Sequence, residues 1–205
     1  MIYDIEKKII ILSRDPYGVR PLYYFHENNT FGFSSELKTI YNLFINKSKL
    51  KYFIPSNYAI ININNIEFNY VKYLCFPFRT INYKLNDLYV KIVENIMFSV
   101  EKRVIGTTER PVACLLSGGL DSSLVTSLVN YIMKEHYNYK LKTFSIGLKG
   151  SEDLKYAKIV ANHLNTDHTE IIVSEDDFFN SIPEVVKNIE SYDTTTIRAS
   201  VGNYL

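Results

Sequence analysis

Seven consecutive residues, Ser117-Gly118-Gly119-Leu120-Asp121-Ser122-Ser123, gather the groups best suited to holding an anion. Two glycines let the backbone turn sharply and come close to a ligand, so that several N–H groups can converge on one anion. Ser117, Ser122 and Ser123 add hydroxyl donors suited to phosphate oxygens. Asp121 would repel phosphate directly, and a carboxylate at that place suits Mg²⁺ held against the phosphate. The run has no Gly-Lys-Ser/Thr, so the Lys-assisted cradle of kinases and GTPases is absent. An ordinary strand-to-helix turn would also use Gly, with Ser and Asp as caps. Seven residues in this order at such a junction favour the anion site.

A second candidate is Arg198, which follows Thr195 and Thr196. A guanidinium fork beside a hydroxyl cluster suits a carboxylate, with a salt bridge as the alternative. Glu152 and Asp153 suit the first turn of a helix, where acids are stabilised by the helix dipole. His168, near Glu170, reads as structural. Arg14 and Asp15 are expected to pair within their turn. Cys75 and Cys114 read as small hydrophobes, Cys114 inside a buried strand. No residue is assigned catalysis.

The elements that must position these residues follow from hydrophobic period. Pro111 to Leu116 is a continuous apolar run, expected as a strand buried on both faces. A helix over Ser122 to Lys134 follows it, with Leu124, Val125, Leu128 and Ile132 on the apolar side. Further strands are expected at Leu141–Leu148 and Thr169–Val173. Leu154, Ala157, Val160, Ala161 and Leu164 make the face of the helix between them. Ser174 should cap the next helix, with Asp177 completing a capping-box variant. Upstream, Leu85, Leu88, Ile92, Ile96 and Val100 mark one face of a helix of about five turns. Alternating strands and helices imply a parallel, doubly wound sheet from residue 84 onward. In open α/β sheets of this kind ligands bind at the carboxyl ends of strands, where Ser117 to Ser123 lies.

Residues 1 to about 78 have a different pattern of short strands and turns. Strands are expected at Lys8–Leu12, Pro21–Phe25 and Phe31–Phe33, with a turn at Asp15-Pro16-Tyr17-Gly18. Ser34 or Ser35 should cap a short helix over Glu36 to Phe44. Tyr58–Ile63 and Ile66–Leu74 form a hairpin around Asn64-Asn65. A linker is expected at Pro77 to Asn82. The chain has 205 residues, 46% hydrophobic and 22% charged, with Lys+Arg 23 against Asp+Glu 22. The resulting net charge of +1 excludes a nucleic-acid binder that relies on a broad basic field. Two cysteines do not make a disulfide scaffold or a zinc knuckle. No apolar run approaches the roughly 20 residues of a spanning helix, and the start lacks signal-peptide order. A soluble, cytoplasmic protein is expected.

The loop Ser117 to Ser123 resembles that of the pyrophosphate-loop enzymes, which adenylate a substrate with ATP and release pyrophosphate. Its surroundings narrow the resemblance. Phe144-Ser145-Ile146-Gly147-Leu148, Ser151-Glu152-Asp153-Leu154 and Ile189 to Ser200 are similar to stretches of glutamine-dependent asparagine synthetases. Ser13 to Tyr24 and Phe33 to Lys38 resemble the late part of that family's glutaminase domain. The resemblance covers nearly the whole chain in the family's order. It implies an α/β fold, with part of an N-terminal-nucleophile-type glutaminase β-sheet at 1–78. The first part of a doubly wound ATP-pyrophosphatase-type domain follows at 79–205.

The resemblance also implies roles at matched positions. Leu115 and Ile146 would flank the adenine of ATP, and Ser117, Gly118, Gly119, Leu120, Asp121, Ser122 and Ser123 would bind its pyrophosphate, with Asp121 linked to Mg²⁺. Thr195, Thr196 and Arg198 would face the aspartyl substrate. Aspartate, glutamine or ammonia, and ATP are the expected partners. A homodimer is a further candidate, and neither nucleic acid nor membrane is expected. The family's N-terminal glutaminase cysteine and its later Ser-Gly-Glu-Gly segment have no counterpart in these residues. The chain is therefore expected to hold the middle of a larger ligase and to be inactive alone. The alternatives are a non-catalytic nucleotide-binding module or a related ligase such as a β-lactam synthetase. A tRNA-modifying pyrophosphate-loop enzyme is disfavoured by the near-zero charge.

Overall fold

The computed structural model describes residues 1–43, 46–75, 80, 82–107 and 109–205. They divide into two compact units, Met1–Thr80 and Ile81–Leu205. The expected helix end at Phe44 and most of the expected linker from Pro77 lie outside the described residues.

The first unit has two antiparallel sheets. One orders β1 (Ile2–Asp4), β2 (Ile9–Ser13), β6 (Asn57–Asn62) and β7 (Glu67–Lys72) side by side. The other orders β4 (Thr30–Ser34), β3 (Tyr23–Glu27) and β5 (Leu50–Tyr52). The hairpin around Asn64-Asn65 forms, with Asn62 opposite Glu67. Strands β1 and β5 were not expected from the pattern; each has three residues, too few to show a period of two. The core packs Leu12, Tyr24, Phe53, Ala59 and Ile61, and Tyr24 stacks on Phe68 with centroids 4.9 Å apart. The short helix α1 spans Leu37–Tyr41, and Glu36, not a serine, occupies its N-cap. Ser34 Oγ instead accepts from the Glu36 N–H at 3.1 Å.

The turn after β2 corrects the expected Arg14–Asp15 pair. Arg14 is 4% exposed, and its guanidinium donates to the carbonyls of Arg20 (2.8 Å), Phe53 (2.7 Å) and Gly18 (2.7 Å) and to the Tyr52 hydroxyl. Asp15 turns the other way and accepts from the N–H groups of Val19 (2.8 Å) and Arg20 (3.2 Å). These backbone donors, Val19 first, hold its carboxyl below the usual range despite opposing desolvation. Carbonyls inside a tight turn need donors, and five guanidinium N–H groups serve several at once. Cys75 also departs from expectation: its side chain is exposed.

The second unit is α/β. Strands β8 (Ala113–Leu115), β9 (Lys142–Leu148) and β10 (Asp167–Val173) form a parallel sheet in the order β10-β9-β8. Helices α3 (Leu120–Tyr137) and α4 (Glu152–Leu164) are the two crossovers. They cover the face that carries Leu116, Thr143 and Ser145, and Leu116 packs on Ala157 and Ala161. Helix α6 (Thr194–Tyr204) lies over the opposite face, where Gly202 approaches Ile146. Helix α5 (Glu175–Ile189) begins with the expected capping box of Ser174 and Asp177.

Three expectations about burial change. β8 is an edge strand, and Leu115 is 67% exposed while Leu116 is 1% exposed, so the run is not covered on both faces. Helix α2 (Leu85–Ile105) forms at the expected place, but Leu85, Leu88, Ile92 and Ile96 are exposed and only Val100 and Val104 join a core. The buried side of α3 runs through Thr126, Val129, Asn130, Ile132 and Met133; the expected Ile132 is on it, while Leu124 and Val125 are exposed. Apolar counting missed this face because two of its members are polar. Asn130 Nδ2 donates to the Leu164 carbonyl at 3.0 Å while its buried Oδ1 has no partner among the described residues, and Thr126 offsets part of the burial effect on the Cys114 thiol.

His168 is held between hydroxyls, Nδ1 at 2.9 Å from Thr143 Oγ1 and Nε2 at 3.2 Å from Ser145 Oγ. Burial lowers its pKa, with opposing pulls from Glu170 and Lys158. This is the structural histidine expected from the sequence.

The Arg14 arrangement yields a stability test. Arg14→Met should lower the unfolding free energy of the first unit by about 2–4 kcal/mol, because several buried carbonyls lose their donors together. Arg14→Lys should recover only part, since an ammonium cannot span the same acceptors. Urea unfolding followed by circular dichroism reads both; a loss under about 1 kcal/mol for Arg14→Met would remove Arg14 from this role.

Candidate functional site

The loop between β8 and α3 is shaped by one close packing contact. Gly118 has φ +78°, and a Cβ there would lie 2.4 Å from Ala157 N and 2.6 Å from Tyr156 C. The loop backbone therefore sits directly on the backbone of α4, at a distance no side chain permits. The sequence-level expectation gave Gly118 to ligand approach; the nearer constraint is α4. Gly119 is the N-cap of α3, and a Cβ there would meet nothing closer than Ser117 Oγ at 3.5 Å.

Gly119 has no side chain to cap the helix. The first intrahelical bond runs from the Ser123 N–H to the Gly119 carbonyl at 3.0 Å. The N–H groups of Leu120, Asp121 and Ser122 thus precede the ladder, and the positive end of an 18-residue helix dipole lies behind them. The expected strand-to-helix loop therefore forms with uncapped N–H groups at its helix end, a geometry able to receive an anion. By contrast, α5 and α6 fill their N-termini with Ser174 and Asp193 side chains.

The hydroxyls are arranged around the same turn. Ser117 Oγ and Ser122 Oγ lie 2.9 Å apart, Ser122 Oγ donates to the Gly119 carbonyl at 3.2 Å, and Ser117 Oγ accepts from the Gly119 N–H at 3.4 Å. Ser123 Oγ is buried with no partner among the described residues. Asp121 is exposed in the first turn of α3. Among the described residues no three of His, Cys, Asp and Glu converge on a metal position. A single free carboxylate beside a phosphate site is the donor set that fits Mg²⁺, which takes one or two carboxylates together with substrate phosphates and water.

Leu115 and Ile146 come together. They line a cavity of about 260 Å³ on the α6 face of the sheet, with Phe144, Ile171, Gly202 and Asn203 among its other walls. The parallel register sets Leu115 beside Phe144 and Ile146 beside Ile171. The chain passes from Leu115 into the Ser117 loop within two residues, so cavity and loop adjoin. Phe144 and Ile171 were legible as neighbours in the strands; Gly202 and Asn203 carried no signal beyond helical spacing.

Thr195, Thr196 and Arg198 occupy the first turns of α6. Thr196 is committed to the helix cap: its hydroxyl and its N–H donate to Asp193 Oδ2 at 2.7 and 2.8 Å. These two bonds, the hydroxyl first, hold the Asp193 carboxyl below its usual range. Thr195 and Arg198 are exposed, and Arg198 has no ion pair among the described residues. By helical spacing Thr195, Arg198 and Gly202 share one face, the face that Gly202 turns to Ile146. A larger apolar groove of about 600 Å³ lies between α2, α3 and β8, lined by Val100, Val104, Cys114, Val125 and Val129. Burial pushes the Cys114 thiol above its ordinary range, so it is no ready nucleophile.

A glycine-rich loop at the carboxyl end of a parallel strand, opening a helix with an uncapped N-terminus and with an apolar cavity beside it, defines the site of an α/β unit. Residues 92–205 match the family model described as asparagine synthase, and residues 1–78 match the glutamine amidotransferase domain. The chain belongs to the asparagine synthase family. It is 33% identical to the glutamine-hydrolysing asparagine synthetase of Gallus gallus and 34% identical to that of Homo sapiens. Each alignment covers 100% of this chain and 40% of the relative, so the chain spans about two fifths of the length of these enzymes. An NH3-dependent NAD synthetase from Campylobacter jejuni is 21% identical, with a TM-score of 0.37, over 53% of this chain and 44% of that one. Among the described residues no helix is long and apolar enough to cross a membrane.

The two glycines should respond differently to a methyl group. Gly118→Ala must adopt a left-handed backbone and push α4 away, and should lose about 2 kcal/mol or more of stability. Gly119→Ala should stay within about 1 kcal/mol of wild type. Thermal unfolding distinguishes them; equal effects would contradict the Gly118–α4 contact.

Proposed function

We propose that this chain is the stretch of an ATP-dependent, glutamine-hydrolysing asparagine synthetase that holds ATP for adenylation of aspartate. The observation that carries the reading is the Ser117–Ser123 loop, whose uncapped α3 N-terminus and surrounding hydroxyls suit a pyrophosphate leaving group. Residues 1–78 would be the later part of a type 2 glutamine amidotransferase domain, and 79–205 the first part of the synthetase domain. Two free cysteines accord with a cytoplasmic location.

The division of labour follows from the chemistry of each group. Leu115 and Ile146 flank the adenine. The N–H groups of Leu120, Asp121 and Ser122 and the hydroxyls of Ser117, Ser122 and Ser123 receive the β- and γ-phosphates. Bound Mg²⁺, held at Asp121, supplies charge neutralisation for the departing pyrophosphate. Thr195 and Arg198 orient aspartate through a carboxylate, with Thr196 fixing the start of the helix that carries them. The aspartate side-chain carboxylate then attacks the α-phosphorus in line. It is a competent nucleophile at pH 7, so positioning and electrostatics supply most of the acceleration and no base is needed. Ammonia released from glutamine attacks the acyl carbon of the β-aspartyl-AMP; the carbon–oxygen bond to the phosphate breaks, AMP leaves and asparagine forms.

The reading is tested on the full-length protein with ¹⁸O in the aspartate side-chain carboxylate. Adenylation leaves one label in AMP, and Arg198→Lys should raise the aspartate KM about tenfold or more while sparing glutamine hydrolysis. Label found only in orthophosphate would mean an acyl-phosphate route and would remove the loop from the pyrophosphate role.

A further inference from the structure

The cavity beside the loop is walled by apolar side chains, Leu115, Phe144, Ile146 and Ile171, together with Gly202, Asn203 and Ser145. Two of these walls carry polar side chains. The Ser145 side chain turns to the opposite face of the sheet, where its hydroxyl lies 3.2 Å from His168 Nε2. The Asn203 amide uses one Nδ2 hydrogen on the Ala199 carbonyl at 3.1 Å, one helical turn back. That bond fixes the amide relative to α6 and leaves its oxygen and its second hydrogen uncommitted. Asn203 is therefore the one side chain of this cavity wall with hydrogen-bonding groups to spare.

We infer that Asn203 selects the purine in this cavity, taking adenine and rejecting 6-oxo purines. The inference rests on the reading of the cavity as the base pocket of ATP. Adenine presents a donor at N6 and an acceptor at N7 side by side, and an Asn amide meets that edge with its oxygen and its remaining N–H. Hypoxanthine and guanine present two acceptors there, O6 and N7, so the amide oxygen would face an oxygen. An apolar pocket cannot distinguish these bases by shape, since they are nearly isosteric, and one placed polar group supplies the difference. Gly202 assists: a Cβ there would stand 3.5 Å from Ile146 Cγ2 and would narrow the gap that a flat ring must enter.

The test is calorimetric binding of ATP, inosine triphosphate and 7-deaza-ATP to the full-length protein, with Asn203→Leu and Leu115→Asp as variants. Wild type should prefer ATP about tenfold over inosine triphosphate and by a smaller factor over 7-deaza-ATP, which keeps the N6 donor. Asn203→Leu should lose those factors, weakening ATP most, 7-deaza-ATP less and inosine triphosphate little, and bind all three alike. Asn203 is exposed, so its loss should leave the fold intact. Retained preference in Asn203→Leu, with ATP weakened by Leu115→Asp, overturns the role of Asn203 and leaves the base pocket standing. ATP binding unchanged in both variants overturns the pocket together with the inference.

Discussion

The approach of Gly118 to the backbone of α4 is the contact that fixes the loop between β8 and α3, and the proposed ATP site depends on it. An anion loop must offer N–H groups that are already aimed, because reorganising them at the moment of binding would cost what the binding gains. Here the aim is set by backbone meeting backbone: with 2.4 Å from a Cβ position to Ala157 N, no residue but glycine fits. The left-handed φ of Gly118 then turns the chain from Leu116, buried against Ala157 and Ala161, into Gly119 and the exposed start of α3. Strand, loop and two helices are fixed by the same few atoms. The first N–H groups of α3 lie outside its hydrogen-bond ladder, as at any helix start, and no side chain caps them.

Much of this was legible in the sequence, for physical reasons. The alternation of apolar runs with 3.6-period segments located β8, α3, β9, α4 and β10, because crossover topology demands it. Ser174 and Asp177 announced the α5 cap, since few arrangements satisfy those end groups as well. What was not legible depended on pairing at a distance. Thr126 and Asn130 lie on the buried face of α3, and nothing local reveals that Asn130 reaches the Leu164 carbonyl, 34 residues away. Arg14 was expected to turn to its neighbour Asp15; the acceptors it serves are carbonyls up to 39 residues away. The continuous apolar run at β8 suggested cover on both faces, but apolar content reports what a strand can bury and not what lies against it.

The candidate site was legible in its order and less so in its details. The loop residues were legible as a motif, and Leu115 with Ile146 only through the family resemblance; the strand register, which sets Leu115 beside Phe144, was not. The commitment of Thr196 to Asp193 did not, because a Thr three residues after an Asp serves a cap and a ligand equally well on paper. Asn203 carried no signal because its significance lies in what surrounds it: the other side chains that line the cavity are apolar or, like Ser145, turned to the opposite face.

The central claim is that the start of α3 receives the pyrophosphate portion of ATP. Two-dimensional ¹H–¹⁵N NMR of the protein during titration with magnesium pyrophosphate tests it most directly. The account predicts that the amide resonances of Gly119, Leu120, Asp121 and Ser122 shift first and saturate together, while those lining the groove at Val100 and Val129 stay in place. Saturating shifts confined to that groove or to the first unit, with Gly119–Ser122 unmoved, would contradict it.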